Sequence, residues 1–292
     1  MRIGRSDALC DIHTQRRVAV RRACRFPGGR LSRLTIFAKG NLDVRDSLHS
    51  QRLGGALVWN GINEALRERA PGLTVRLKHE TWNRSDALLA ASGAAPAELV
   101  ERNLPMGAFP PASQFSRALF ETDADVFALS IQPDIFTRLA RHRRDGFLFT
   151  PHNLGAWPAE QRAWLREAFT VEDYLSVEAS MANMARIIAR IRERSAAPIL
   201  VYNVSSVTPG EHVHSHEGLD ELFSTRIRRF DLGLIELSRA TGVSIIDVDT
   251  VLARVGADRL KIDTNHLTGE GSRLVAAEVV RVLDDLGVLP DA

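Results

Sequence analysis

Apolar and polar residues follow two different periods along this chain, and the switches between them mark out strands and helices. Leu34 to Ala38 is a short apolar run with β-branched and aromatic members, closed by Lys39-Gly40-Asn41. That pattern predicts a buried strand running into a turn. Residues 59–69 place Ile62, Ala65 and Leu66 at helical spacing ahead of a Pro71-Gly72 stop. At 73–80, Leu73, Val75 and Leu77 alternate with polar residues, which predicts a half-buried strand. Ser85 is placed to cap a short helix through Ala91, and 97–102 predicts another turn or two. The run 124–134 is almost continuously apolar up to Pro133. It predicts a strand buried on both faces, with a short helix after it to about Arg143.

Residues 145–170 break the alternation. They are rich in Gly, Pro and aromatics (Phe147, Phe149, Trp157, Trp164, Phe169). They predict an insertion, with a short helix at 158–167, walling one end of the sheet. From Val177 to Arg194, Met181, Met184, Ile187, Ile188 and Ile191 recur at three and four, an amphipathic helix whose methionines are core residues. A buried strand follows at 197–205. A long helix at 218–242 turns Leu222, Ile227, Phe230, Leu234 and Leu237 inward and stops at Gly242. The last strand is 243–249 and the closing helix 269–286.

Five apolar strands separated by helical crossovers predict an α/β fold. It is a doubly wound, flavodoxin-like five-stranded parallel sheet with helices on both faces. No repeat or low-complexity linker divides it, so one domain is expected over 34–288.

Charge sets the first 33 residues apart. They hold nine Arg against two Asp, a balance of +7, so the remainder carries −5 of the chain's total of +2. This leader has no apolar core of the secretory kind and no interleaved aromatics of the nucleic-acid-binding kind. It is expected to be a disordered extension, consistent with an over-long start-site assignment. No apolar run reaches about 18 residues, so no transmembrane helix is expected. Two cysteines, Cys10 and Cys24, both in the leader, argue against a disulfide framework or a cysteine zinc site. A reducing cytoplasm is the expected compartment.

In a parallel sheet of this kind, ligands bind beyond the carboxyl ends of the strands. Those ends carry Gly40, Asn41, Asp43, Asp46, Ser47 and His49; then His79, Asn83 and Ser85; then Gln132 and Asp134; then Asn203, Ser205 and Ser206; and last Asp247, Asp249, Asp263 and His266. Hydroxyl, amide, imidazole and carboxylate groups on one rim are the raw material of a nucleophile, an oxyanion hole and a base. "KIDTNHLTGEG" places Asp263 three residues before His266. A carboxylate-oriented histidine takes a proton from a hydroxyl near neutral pH. The bland alternative is a surface loop, with Thr268 as helix N-cap and Gly271 at the third helical position.

The order of these groups resembles the SGNH/GDSL hydrolase superfamily over most of residues 34–286. "TIFAKGN" leading to "RDSL" looks like the first block, "ADVFALSIQPD" like the third, and "DTNHLTGEGSRLVAAEVVRVL" like the fifth, Asp-x-x-His before the final helix. Two blocks depart from the pattern. With Gly40 as the block glycine, Asn41 and Leu42 stand where Asp and the nucleophilic Ser belong; the other register uses Asp46-Ser47-Leu48. Gln132-Pro133-Asp134 replaces the third block's Asn-Asp pair.

The resemblance implies acyl transfer to water from a small-molecule acyl or glycosyl ester, with no cofactor and neither nucleic acid nor membrane as partner. Ser47 is then the expected nucleophile, His266 the base and Asp263 its orienting carboxylate. Backbone N–H groups around Gly40, Asn41 and Asp46, with Asn83 or Gln132, are expected to hold the oxyanion. Two other readings stand beside it. One is a catalytically degenerate protein that binds its ligand without turnover. The other is a metal-dependent hydrolase using His212, His214 and His216, which alternate along "HVHSHEG" and can meet on one side of an extended segment.

Overall fold

The structure, a computed structural model, describes residues 33–211 and 219–290. The basic leader up to residue 32, with both cysteines, and the loop carrying His212, His214 and His216 lie outside the described residues. The five expected strands form one parallel sheet: β1 (Arg33–Lys39), β2 (Thr74–Glu80), β3 (Val126–Ser130), β4 (Ile199–Tyr202) and β5 (Ser244–Ile246), in the order β2-β1-β3-β4-β5. β1 pairs with β2 along its whole length, Arg33 with Thr74 through Lys39 with Glu80. On its other side it pairs with β3 from Ile36↔Val126 to Lys39↔Leu129.

Alternation within each strand feeds two cores. Leu34, Ile36 and Ala38 of β1, Val126 and Ala128 of β3, and Leu200 and Tyr202 of β4 face one layer. The helices Leu42–Leu48, Val248–Ala253 and Gly269–Asp285 close that layer. Phe37, Phe127, Leu129, Ile199 and Val201 face the other, against the helices Val177–Arg192 and Phe223–Thr241. Met184, Ile187, Ile188 and Ile191 are all buried there, as their spacing predicts. Because neither face is open to water, side chains with chemistry are pushed to the strand ends.

The departures from the pattern have local causes. The apolar run expected as one strand to residue 134 leaves the sheet after Ser130. The Ser130 hydroxyl accepts the Gln132 N–H, and Pro133 sits in the first turn of a short helix, Gln132–Phe136, where its missing N–H costs nothing. The helix expected to reach Arg143 ends at Phe136, and Ala140–His142 is instead a strand, sandwiched between Leu148–Phe149 and Phe169–Val171 in a small antiparallel sheet. This sheet and the helix Ala159–Ala168 pack Phe149, Trp157 and Phe169 with Leu99, Met106 and Phe115 in a separate aromatic cluster.

Residues 59–69 are helical only over Ile62–Ala65. A hairpin not foreseen, Gln51–Leu53 with Ala56–Trp59, precedes them. Gly54 and Gly55, both at positive φ, make its two-residue turn. Arg84 takes the N-cap position expected for Ser85. The last strand ends at Ile246, because Asp247 caps the helix Val248–Ala253 by accepting the Thr250 N–H. Thr268 and Gly242 do what the pattern predicts. Thr268 caps the closing helix through the Gly271 N–H, and Gly242 ends the long helix at φ 71°.

Gly61 joins the hairpin to the helix after it at φ 59°, and a Cβ there would lie 2.3 Å from the Leu48 carbonyl oxygen. Gly61→Ala therefore combines backbone strain with a clash against main chain. It should cost about 2 kcal/mol or more, read as a lower midpoint in chemical denaturation. Gly54→Ala, at φ 56° but in open space, should cost about half as much.

Candidate functional site

The turn after β1 is strapped to its neighbour before any side chain is counted. The Gly40 N–H donates to the Glu80 carbonyl, and the Gly40 carbonyl accepts the Trp82 N–H and meets His79 Nε2 at 2.8 Å. Asn41 then starts the helix Leu42–Leu48 without a side-chain cap, its buried Oδ1 lacking a partner. One turn on, Asp43 and Ser47 face inward, while Asp46 is half-exposed and pairs with Arg45.

Ser47 is fully buried. Its Oγ lies 3.2 Å from the Asp43 carbonyl, 3.1 Å from the Val44 carbonyl and 3.1 Å from the Tyr202 hydroxyl. Carbonyls only accept, so the Ser47 proton goes to them and the Tyr202 O–H donates to Ser47. The hydroxyl expected to attack substrate is thus a joint between the first helix and the end of β4, its proton and a lone pair both committed. This placement does not suit a nucleophile.

The partner expected for it lies on the surface. The loop Lys261–Leu267 is pinned by paired backbone at its base, with Thr268 N–H donating to the Leu260 carbonyl and Ile262 N–H to the His266 carbonyl. At its tip, His266 Nδ1 lies 2.8 and 2.7 Å from the two Asp263 carboxylate oxygens. The Asp263 Oδ1 also accepts the N–H groups of Asn265 and His266. Partial burial would raise this carboxyl, but those N–H groups and the imidazole outweigh it and hold it below the usual carboxylate range. The ring is therefore oriented through Nδ1, and its side chain is 43% exposed.

The two oxyanion candidates differ. Asn83 is buried in the network that anchors the aromatic insertion: its Nδ2 donates to Gln114 Oε1, and its Oδ1 accepts the Arg84 N–H and the Thr150 hydroxyl. Its Oδ1 is doubly taken, and at 1% exposure the side chain is turned away from any ligand at the rim. Gln132 instead lines a small pocket with Asp43, Asn203, Ser205, Lys261, Thr264 and Asn265. Asp134, next to it, is structural. It accepts the Ser85 N–H and the Ser180 hydroxyl, and burial pushes its carboxyl up to about 6.

Two groups were less legible in the sequence. Lys261 reads as the polar start of a loop, yet it is buried and donates to the Ser205 and Val207 carbonyls. Burial lowers it to about 8 against the pull of Asp249 and Asp263. Asp231, on the long helix, accepts the Val204 N–H at 3.4 Å. Burial first, with the nearby Asp249 and Asp247 adding to it, pushes its carboxyl up to about 8. Helical periodicity gives no warning of either, since both interactions cross the fold. Among the described residues, Glu98, His142 and Asp145 also cluster, but Glu98 holds Trp164 Nε1 and Asp145 holds Arg144.

No family model matches the chain, and no curated protein does. Solved structures similar in fold include an acetyl xylan esterase (12% identity, 86% of this chain and 100% of that one, TM-score 0.48). An acetylxylan esterase from Geobacillus stearothermophilus shows 11% identity over 89% and 97% of the two chains, TM-score 0.45. An α/β hydrolase enzyme from the metagenome of Lake Arreo, Spain, shows 15% identity over 88% and 97%, TM-score 0.45. At these identities the likeness is one of fold alone.

Ser47→Ala should lower stability by about 1–2 kcal/mol, because it strips the buried Tyr202 hydroxyl of its acceptor, and double substitution with Tyr202→Phe should recover part of that loss. Asp231 also predicts a pH effect. Its folded pKa is raised from 3.8 to about 8, so the unfolded chain releases this proton first. Stability falls as pH rises through that window and levels off above it. Asp231→Asn should flatten that decline and raise Tm at alkaline pH by a few degrees, which thermal scans at acid and alkaline pH will read.

Proposed function

We propose that this protein hydrolyses an ester or acyl group by general-base chemistry, with His266 as the base and water as the attacking group. The observation that carries this reading is the His266 ring held through Nδ1 by Asp263 at 2.7 and 2.8 Å, which leaves Nε2 for the reaction. Nε2 takes a proton from water as the water oxygen attacks the carbonyl carbon. Asp263 stabilises the imidazolium that results, and the imidazolium returns the proton to the departing oxygen as the tetrahedral species collapses. Of the two amides expected to donate to the oxyanion, Asn83 is committed elsewhere and Gln132 lines the pocket beside the loop, so this reading gives that role to Gln132. The serine route implied by the resemblance would require Ser47 to give up its bonds inside the fold and reach solvent.

A second reading is binding of such a ligand without turnover. It is favoured by Leu42 in the position after Gly40-Asn41 where the pattern has Ser, and by the burial of Ser47.

Hydrolysis of p-nitrophenyl acetate and a panel of short acyl esters separates these readings. The water route expects turnover that drops about a hundredfold or more in His266→Ala, survives in Ser47→Ala, and goes with no labelling by a fluorophosphonate probe. Labelling lost in Ser47→Ala would restore the serine route. Absence of turnover across the panel would leave the binding reading.

A further inference from the structure

The loop that presents Asp263 and His266 is tied to the rest of the fold by Lys261. This side chain is only 6% exposed. Its Nζ donates to the Ser205 carbonyl at 3.2 Å and to the Val207 carbonyl, both on the chain leaving β4. That chain is itself held, since Asp249 accepts the Ser206 N–H at 2.6 Å and Asn203 accepts the Asp249 N–H. The other side-chain hydrogen bonds of the loop, those of Asp263 and His266, stay within it. Among the described residues, Lys261 thus makes the side-chain hydrogen bonds that join the loop to the sheet.

The acceptors around Lys261 suit one of its two protonation states. An ammonium has three N–H donors, and an uncharged amine has two. Two carbonyls accept here, so the site answers both hydrogens of an amine. Among the described residues, the third hydrogen of an ammonium meets no acceptor. Asp249, from the helix Val248–Ala253, and Asp263, from the loop, both favour the charged form, but burial outweighs them and lowers the lysine to about 8. Asp43, from the helix Leu42–Leu48, lines the same pocket. Burial pushes its carboxyl up, which reduces the negative charge it offers the lysine.

We propose that Lys261 is the positioning residue of the Asp263–His266 pair, a latch that fastens their loop to the chain leaving β4 and holds it more firmly as an amine than as an ammonium. Latched, the lysine gives up its proton at about 8; released into water, it does so near its ordinary value of 10.5. A bound proton therefore favours release. The latch strengthens as pH rises from about 8 towards 10.5 and is level above that. Its consequence for hydrolysis rests on His266 being the base; the latch itself does not.

The chain has three lysines, Lys39, Lys78 and Lys261, so NMR of the full protein carrying 13C-labelled lysine, histidine and isoleucine can follow the latch directly. The Lys261 side-chain signal is expected to titrate at about 8, and the His266 ring and Ile262 methyl signals to move with it. Those movements should vanish in Lys261→Met. Asp249→Asn removes a carboxylate that favours the charge, so it should carry the Lys261 titration and the His266 movement to lower pH together; it also serves if Lys261→Met fails to fold. A Lys261 titration at the ordinary value overturns the proposal. So do His266 and Ile262 signals that stay still while Lys261 titrates, that still move in Lys261→Met, or that keep their place when Lys261 shifts in Asp249→Asn. In ester turnover, Lys261→Met should lower kcat about tenfold and leave KM within about twofold, and an unchanged kcat overturns the positioning role. Should the wild-type protein turn over no ester, the proposed hydrolysis fails while the titration still decides the latch.

Discussion

Burial of both faces of the central strands is the constraint on which the rest of this structure depends. β1 and β3 give alternate residues to two separate apolar layers, so neither strand can carry an unpaired polar side chain along its length. Polar groups can appear only where the strands stop. What they do there depends on whether the following turn continues inward or outward. The same constraint concentrates the hydrogen-bonding demand: each polar group at a strand end must find a partner or a ligand.

That demand sorts the rim into two populations. After β1 the chain turns directly into a helix packed on the sheet, so Ser47 is drawn inward to Tyr202 and Asp43 to Ser130. After β2, Asn83 is taken up in holding the aromatic insertion through Gln114 and Thr150. The loop before the closing helix is different. Its base is pinned by backbone pairing and by Lys261 beneath it, and its tip projects Asp263 and His266 toward solvent. A rigid base and an exposed, internally oriented tip are what a proton-transferring pair requires. The pocket walled by Asp43, Gln132 and Asn265 lies between these two populations. It joins buried carboxyl chemistry to the loop that holds the imidazole.

The resemblance to SGNH/GDSL hydrolases rested on order along the chain: five strands that do form one parallel sheet, and an Asp263–His266 loop that does precede the closing helix. It also placed a serine in the first turn. In that turn the side chain after Gly40-Asn41 is Leu42, and the nearest serine, Ser47, lies more than one helical turn further on, facing the core. A shift of that size carries a residue around and along the helix, so motif order survives while side-chain direction does not.

Periodicity alone determined the five strands, the two long amphipathic helices with their buried Met184, Ile188, Phe230 and Leu234, the Thr268 cap and the Gly242 stop. Each depends on neighbours within a few residues, which a sequence displays directly. The pairing of Asp263 with His266 was legible for the same reason, being three residues long. What only the tertiary structure decided was every bond that spans the fold. Ser47 meets Tyr202 across 155 residues and Asp43 meets Ser130 across 87. The strand Ala140–His142 is a strand because it pairs with Phe169–Val171. A hydroxyl or carboxylate reads the same in a sequence whether it faces solvent or core; its chemistry is settled by which distant backbone or side chain arrives beside it, and that is fixed only when the layers pack.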